Sequence, residues 1–242
     1  MRNRISVTVL AAVLIALFGS QCISAQIDFQ EARKRMVEDQ IRARGVRDAR
    51  VLQAMGSVPR HEFVPEEYRA SAYDDAPLPT SLGQTISQPY IVALMTELAE
   101  PQPHHRVLEV GTGSGYQAAI LSHLVREVYT IELLPELARS ASARLDRLGF
   151  KNIRVREGDG YLGWPDHAPF DSILVTAGAT EIPKPLVEQL KPGGRLVIPV
   201  GKSSQSQELQ VLTKDMQGKT TVRNIIPVRF VPLRRAGGEA NK

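Results

Sequence analysis

A glycine-rich turn between a predicted strand and a predicted helix is the feature that most limits the fold of this chain. Val107, Leu108 and Val110 form a short apolar run, and glycines follow at every second position from Gly111 to Gly115. Residues 116–125 are then predicted to be helical. Glycine allows a strand to turn sharply into a helix, whose first N–H groups are left free for a ligand. In open α/β folds such turns lie at the carboxyl edge of the sheet, where ligands bind.

Strands and helices alternate along the rest of the chain. The predicted strands cover residues 128–132, 152–157, 170–176 and 195–200, the helices residues 135–148 and 185–190, and a closing antiparallel pair residues 207–213 and 220–231. This alternation predicts an α/β fold with a doubly wound, mostly parallel sheet. Before the turn, Asp28 and Asp48 are predicted N-caps of helices in an N-terminal helical extension.

The spacing of the glycines distinguishes two kinds of ligand-binding turn. The dinucleotide pattern G-x-G-x-x-G needs glycine at position 116, where this chain has Tyr116, so a NAD-dependent oxidoreductase is disfavoured. The run from Glu109 to Gly115 resembles instead the first motif of S-adenosylmethionine (SAM) methyltransferases, which have a Rossmann-like fold. Glu132 ends the next predicted strand, and a carboxylate there can accept hydrogen bonds from both hydroxyls of a ribose.

Further stretches make the resemblance more specific. The sequence is similar to the protein-L-isoaspartate O-methyltransferase family in residues 58–65 (VPRHEFVP), 83–89 (GQTISQP), 110–117, 158–160 (GDG) and 228–233 (VRFVPL). The glycine motif alone indicates only a methyltransferase, whereas the segment 83–89 singles out this family. The match extends from about Arg33 to Leu233.

The resemblance implies that SAM is the cofactor and that the free carboxylate of L-isoaspartyl residues in damaged proteins and peptides receives the methyl group, which initiates repair. It also implies that Ser87 is the catalytic residue. The implied cofactor-binding residues are Glu109, Gly111, Thr112, Gly113, Ser114, Gly115, Glu132, Leu133, Asp159 and Gly160. The implied substrate-binding residues are Thr85, Ile86, Gln88, Pro89, Arg229, Phe230, Val231 and Pro232. On its spacing alone, Ser87 could instead be the N-cap of the helix that begins at Pro89.

The reaction requires little from side chains. A carboxylate is already ionised at neutral pH, so the acceptor needs no general base, and the protein contributes mainly alignment. The chain accordingly shows no nucleophile–base motif, and its five histidines are scattered without the spacing of metal ligands. We expect no metal site.

Composition and one missing motif narrow the class of substrate. The 242-residue chain carries a formal net charge of only +4, and its basic residues are evenly spread, which argues against a nucleic-acid partner. Amino-directed nucleic-acid methyltransferases usually carry an Asn/Asp-Pro-Pro-Tyr/Phe motif after the fourth strand, where this chain has Val175-Thr176-Ala177. The partners we expect are isoaspartyl-containing proteins and peptides, and we expect the protein to be a monomer.

The amino terminus has the composition of a secretory signal peptide. Arg2 and Arg4 precede an apolar run over residues 5–18, and Ser24-Ala25 offers small residues for cleavage. We expect a leader over residues 1–25, cleavage after Ala25, export to the periplasm and no stable membrane insertion afterwards. The alternatives for this segment and for the compartment are an uncleaved anchor and the cytoplasm that is usual in the family. The alternatives for the function are an exported binding module that keeps the fold without turnover and a SAM methyltransferase that acts on another substrate. The remaining expected divisions are the helical region and active-site loop (26–100), the SAM-binding core (101–235) and a flexible tail (236–242).

Overall fold

The computed structural model describes residues 28–202 and 206–237. The predicted leader therefore lies outside the described residues, as do residues 238–242 of the predicted tail. The helices are α1 (Phe29–Arg35), α2 (Ala49–Ser57), α3 (Pro89–Leu98), α4 (Tyr116–Ser122), α5 (Pro135–Arg147) and α6 (Lys184–Glu188). The strands are β1 (Leu78–Pro79), β2 (Thr85–Ile86), β3 (Arg106–Val110), β4 (Glu127–Glu132), β5 (Ile153–Glu157), β6 (Phe170–Val175), β7 (Leu190–Val200), β8 (Gln207–Lys214) and β9 (Thr220–Val228).

Seven of the strands form one sheet in the order β5-β4-β3-β6-β7-β8-β9, and β1 and β2 form a separate two-stranded ribbon. The strands from β5 to β7 run parallel, and β8 and β9 add an antiparallel edge. The predicted α/β fold with a mostly parallel sheet is confirmed. The chain leaves β3 toward β4 on one side and later returns as β6 on the other, so β3 ends at the switch point where such sheets bind ligands.

The N-terminal extension begins with the predicted cap. The Asp28 carboxylate accepts hydrogen bonds from the backbone N–H groups of Gln30 and Glu31, both at 3.0 Å. Helix α1 continues directly into a π-helical segment, Met36–Arg42, and Gly45 with φ of +103° follows the end of this segment. Asp48 caps α2 in the same way, accepting from the N–H of Arg50 at 2.8 Å.

Two apolar layers pack on the two faces of the sheet, as its alternating side chains require. Val107 of β3 belongs to the layer that packs under the N-terminal helices, α3 and α4. Leu108 and Val110 point to the other face, where Trp164 and Leu186 cover them. Burial of each such aliphatic side chain contributes about 1.5–3 kcal/mol, and the two layers together hold the end of β3 in place.

The last strand ends earlier than its sequence predicts. An apolar run continues to Val231, but β9 stops at Val228. The chain then crosses to the loop after β6, where the N–H of Gly178 donates to the Val231 carbonyl and the N–H of Leu233 donates to the Gly178 carbonyl, both at 2.8 Å. These two hydrogen bonds take the place of further pairing between β9 and β8. They bring the C-terminal segment over the carboxyl ends of the central strands. None of the helices among the described residues is long and apolar enough to span a membrane.

Candidate active site

A cleft opens at the carboxyl ends of β3, β4 and β6. It encloses about 930 Å³ of empty space, its open mouth and adjoining solvent included. Of the residues singled out in the sequence, those on its wall are Thr85, Ile86, Ser87, Glu109, Gly111, Thr112, Gly113, Ser114, Glu132, Leu133, Gly160, Val231 and Pro232. The cleft thus joins four stretches that are distant in sequence: the segment around β2, the glycine turn with the end of β4, Gly160 after β5, and the C-terminal segment.

The three glycines of the turn have different structural roles. Gly111 has φ of +101°, and a Cβ there would lie 2.5 Å from Thr176 Oγ1, so the position is closed to side chains. Gly113 has φ of +52°, and no atom lies within 4 Å of the place of its Cβ, which opens into the cleft. Gly115 is the N-cap of α4 with φ of +87°, and a Cβ there would contact Leu145. Gly115 therefore serves the packing of α4 and is not part of the wall.

The Glu132 carboxylate is fixed over this turn. Its Oε2 accepts a hydrogen bond from the N–H of Gly113 at 2.8 Å, and its Oε1 accepts from the N–H of Leu134 at 3.0 Å. Only 8 % of the residue is exposed. Since a carboxylate oxygen can accept more than one hydrogen bond, Glu132 keeps acceptor capacity for hydroxyl groups of a ligand while the backbone holds it in position.

Glu109 lies deeper, with no exposed surface. Its Oε2 accepts a hydrogen bond from Thr130 Oγ1 at 2.6 Å, and Thr130 Oγ1 also shares a hydrogen bond with Thr112 Oγ1 at 2.7 Å. Its Oε1 has no hydrogen-bond partner. Burial raises the pKa of Glu109 to about 8, and the nearby charge of Glu132 acts in the same direction against the Thr130 hydrogen bond.

Asp159 and Gly160 occupy different positions, although they are neighbours in sequence. The backbone of Gly160 lies on the cleft wall, and a Cβ there would be 2.3 Å from Val110 Cγ1, so only glycine allows this close approach to β3. Asp159 is not among the lining residues. Its carboxylate accepts from the N–H of Tyr161 at 2.9 Å and from that of Ala236 at 3.2 Å, which ties it to the C-terminal segment.

Ser87 lies on the cleft wall immediately before α3. The expectation that Ser87 could be an N-cap is wrong, because the N-cap of α3 is Gln88, which makes no side-chain capping hydrogen bond. The Gln88 amide instead donates to the Asp75 carbonyl at 3.0 Å. Gln88 and Pro89, the buried first residue of α3, lie outside the lining, so their predicted contact with substrate has no direct counterpart in the cleft.

The C-terminal segment contributes only half of its predicted residues. Val231 and Pro232 line the cleft, whereas Arg229 and Phe230 do not. The backbone of Phe230 pairs with the side chain of Gln207, which accepts from the Phe230 N–H at 2.7 Å. The Phe230 ring packs against the apolar layer on the helical face, and Arg229 is exposed.

The other lining residues were not among the predicted binding or catalytic residues; they are Gln84, Val92, Met95, Val110, Tyr116, Gln117, Ile131, Leu134, Thr176, Ala177, Leu233 and Arg234. One signal could have found Thr176 and Ala177: they follow β6, the strand beside β3 at the switch point, where ligands are expected. The Thr176 hydroxyl donates to the Gly111 carbonyl at 2.6 Å and so fastens this loop to the turn. The described residues contain no group of three or more His, Cys, Asp or Glu that could hold a metal ion.

Comparisons with known proteins agree with this geometry. The family model for protein-L-isoaspartate(D-aspartate) O-methyltransferase matches residues 31–237. Protein-L-isoaspartate O-methyltransferase 2 of Polaromonas sp. is 59% identical over 186 residues, which are 77% of this chain and 88% of the relative. Protein-L-isoaspartate O-methyltransferase of Opitutus terrae is 52% identical over 235 residues, 97% of this chain and 99% of the relative.

A solved structure from Plasmodium falciparum is similar in fold. It is described as a putative protein-L-isoaspartate O-methyltransferase in complex with S-adenosyl-L-homocysteine, and it superposes with a TM-score of 0.74 at 26% identity. The alignment covers 84% of this chain and 99% of that one. The family match over nearly all the described residues and the high identity to full-length relatives lead to one conclusion: the chain belongs to the protein-L-isoaspartate(D-aspartate) O-methyltransferase family.

Proposed function

We propose that this protein transfers the methyl group of SAM to the free carboxylate of L-isoaspartyl residues in proteins and peptides, the step that initiates their repair. The observation that carries the proposal is the meeting of two family segments in one cleft. The segment Thr85-Ile86-Ser87, which distinguishes this family among methyltransferases, faces the glycine turn after β3 and Glu132 after β4. A donor and an acceptor held by these two walls would be neighbours.

The residues of the cleft fit the cofactor. Gly113 leaves open space where any other residue would carry a side chain, so the backbone can be approached closely. Glu132 offers carboxylate oxygens to ribose hydroxyls, and Glu109 has a buried oxygen without a partner. When bound there, SAM supplies a methyl group on a sulfonium, which is a good leaving group.

The contribution of the protein is alignment. In this proposal, Ser87 of the cleft wall donates a hydrogen bond to the acceptor carboxylate and so orients it. No proton has to be removed from an ionised carboxylate, and the cleft needs no histidine base. Val231 and Pro232 of the C-terminal segment line the same cleft and would keep water from the reacting groups. Correct positioning alone can lower the activation free energy by about 7–11 kcal/mol.

The test is methyl transfer to an isoaspartyl peptide and to the same peptide with normal aspartate. We expect the wild type to methylate the first and essentially to ignore the second, because the additional backbone methylene of isoaspartate moves the carboxylate. Ser87→Ala should lower kcat by about ten- to over a hundredfold, the effect of losing a hydrogen bond of roughly 1.5–3 kcal/mol to a charged group. Its affinity for SAM, measured by calorimetry, should stay near the wild-type value.

The matched control is Ser81→Ala, in the same loop but exposed and outside the cleft wall. Both variants should have an unfolding temperature close to that of the wild type, since Ser87 does not cap α3. Equal methylation of the two peptides would contradict the proposed substrate. An unchanged kcat in Ser87→Ala would contradict the role of Ser87. Well-folded protein that binds SAM without turnover would favour the exported binding module.

The compartment and the assembly state are part of the same proposal. The charged start, the apolar run and the small residues before Gln26 support export to the periplasm with cleavage after Ala25. Mass spectrometry of protein purified from its host should find Gln26 as the first residue, and a soluble product that starts at Met36 would contradict export. The modest net charge supports a protein without affinity for nucleic acid. A monomer is proposed as well, and light scattering with and without DNA would test both proposals.

A further inference from the structure

The position of Glu109 suggests a role beyond contact with the cofactor. It is the one acidic side chain of the glycine motif, it has no exposed surface, and it nevertheless lies on the wall of the cleft. One of its oxygens accepts a hydrogen bond from the Thr130 hydroxyl, and the other has no hydrogen-bond partner among the described residues. An ionised carboxylate in this position would have a single hydrogen bond to compensate for its lost hydration, which is costly.

The groups around Glu109 do not supply a compensating positive charge. Thr130 on β4 and Leu174 on β6 are its neighbours in the sheet. Across the helical face, Gln117 of α4 donates to Thr96 of α3 at 2.8 Å, and neither residue ionises. Glu132 is the acidic residue nearest along the cleft wall, and its like charge disfavours ionisation of Glu109.

Two cations and one tyrosine complete the surroundings. Tyr116 on α4 is neutral, because burial raises its pKa to about 12. Arg60, whose pKa burial lowers to about 10, remains charged at neutral pH and lies over the Tyr116 ring at 4.9 Å, but it is not on the cleft wall. Arg234 is on the wall but belongs to the exposed C-terminal segment. In the protein alone, Glu109 therefore keeps its proton at neutral pH, in agreement with its pKa of about 8.

We infer that Glu109 gives up this proton when a positively charged cofactor enters the cleft, and that its carboxylate then balances the charge of the ligand. The inference rests on the proposed function, because SAM is the ligand considered. SAM carries a sulfonium, an ammonium and one carboxylate, so its net charge is positive. Either positive group could favour the ionised form of a carboxyl that lies near it. Binding is then linked to release of one proton: the Glu109 carboxyl becomes a carboxylate, and the proton goes to the solvent.

Calorimetry at pH 6.5 in two buffers of different ionisation enthalpy measures the number of protons released on binding. For SAM, we expect the wild type to release close to one proton more than Glu109→Gln, which keeps an oxygen for Thr130 but cannot ionise. The affinity of the wild type for SAM should rise about tenfold for each pH unit from 6 to 7.5. That of Glu109→Gln should lack this dependence.

S-adenosyl-L-homocysteine and 5′-methylthioadenosine separate the sources of charge. The first keeps the ammonium and lacks the sulfonium, and the second is neutral. Equal proton release with SAM and S-adenosyl-L-homocysteine would support the inference with the ammonium as the partner of Glu109, and a larger release with SAM would support it with the sulfonium.

Release of no proton with measurable heat of SAM binding would overturn the inference and leave the proposed function intact. Equal release with neutral 5′-methylthioadenosine would also overturn it. If Glu109→Gln did not fold, the proton release of the wild type with SAM and with 5′-methylthioadenosine would still test the inference.

Discussion

Gly113 is the position at which structure and ligand binding can be separated most cleanly by substitution. It has φ of +52°, and no atom lies within 4 Å of the place of a Cβ. Gly149, after α5, has φ of +86° and the same empty surroundings, but it is not on the cleft wall. Asparagine is the test residue, because it tolerates the left-handed region better than other bulky residues. A left-handed conformation costs an ordinary residue roughly 1–2 kcal/mol. Gly113→Asn and Gly149→Asn should therefore each lose about 1 kcal/mol, which lowers Tm by about 2–4 °C in a chain of this size.

The two variants should differ in cofactor binding. The side chain introduced by Gly113→Asn would enter the cleft, and excess volume in a packed space costs about 1–3 kcal/mol. This corresponds to a loss of roughly fivefold to over a hundredfold in affinity, measured by calorimetry with SAM and with S-adenosyl-L-homocysteine. Gly149→Asn should bind both as the wild type does. Wild-type affinity in Gly113→Asn would refute the argument that the ligand approaches this backbone closely. Unfolding of Gly113→Asn at room temperature would refute the strain estimate.

Two further predictions concern residues of the cleft wall. Gly160→Ala should lower the free energy of unfolding by about 1–3 kcal/mol, because its Cβ would lie 2.3 Å from Val110 Cγ1; denaturant titration measures this, and a neutral result would mean that the segment moves away from β3 at no cost. Burial raises the pKa of Glu109 from 4.5 to about 8, so the folded state holds a proton that the unfolded state loses, and stability should fall as pH rises through this window. The loss of unfolding free energy that is due to Glu109 approaches ~1.4 kcal/mol per pH unit, and it should be absent in Glu109→Gln. If the unfolding free energies of the two proteins changed in parallel with pH, the raised pKa would be contradicted.

The elements that sequence predicts well are those fixed by neighbouring residues. The cap at Asp28 needs only the N–H groups of the following turn, and the glycine turn needs only left-handed conformations that glycine adopts readily. The central parallel strands β3, β4 and β6 are predictable for a similar reason, since their apolar runs are buried on both faces. For these parts, local preference and the overall fold agree.

The parts that sequence did not predict depend on contacts between distant segments. Residues 229–231 continue the alternating pattern of a strand, yet the chain leaves β9 after Val228. The N–H of Gly178 donates to the Val231 carbonyl, and the Gly178 carbonyl accepts from the N–H of Leu233. Asp159 resembles a ligand-binding residue in its motif, but its carboxylate meets Ala236 near the end of the described chain. Neither pairing could be inferred from periodicity, because the partners lie more than fifty residues apart.

The glycines of the family motif are therefore required for different physical reasons. In the glycine turn, Gly111 is required by the Thr176 hydroxyl beside it and Gly115 by the packing of α4 against Leu145, whereas Gly113 faces open space. A substitution at either of the first two would disturb the turn whether or not a ligand is present. Gly113 shares the left-handed conformation of the other two glycines, but the place of its Cβ opens into the cleft and meets no other side chain. That unfilled space, with the unpartnered oxygen of Glu109 on the same wall, is the strongest structural argument that this cleft is built for a bound cofactor.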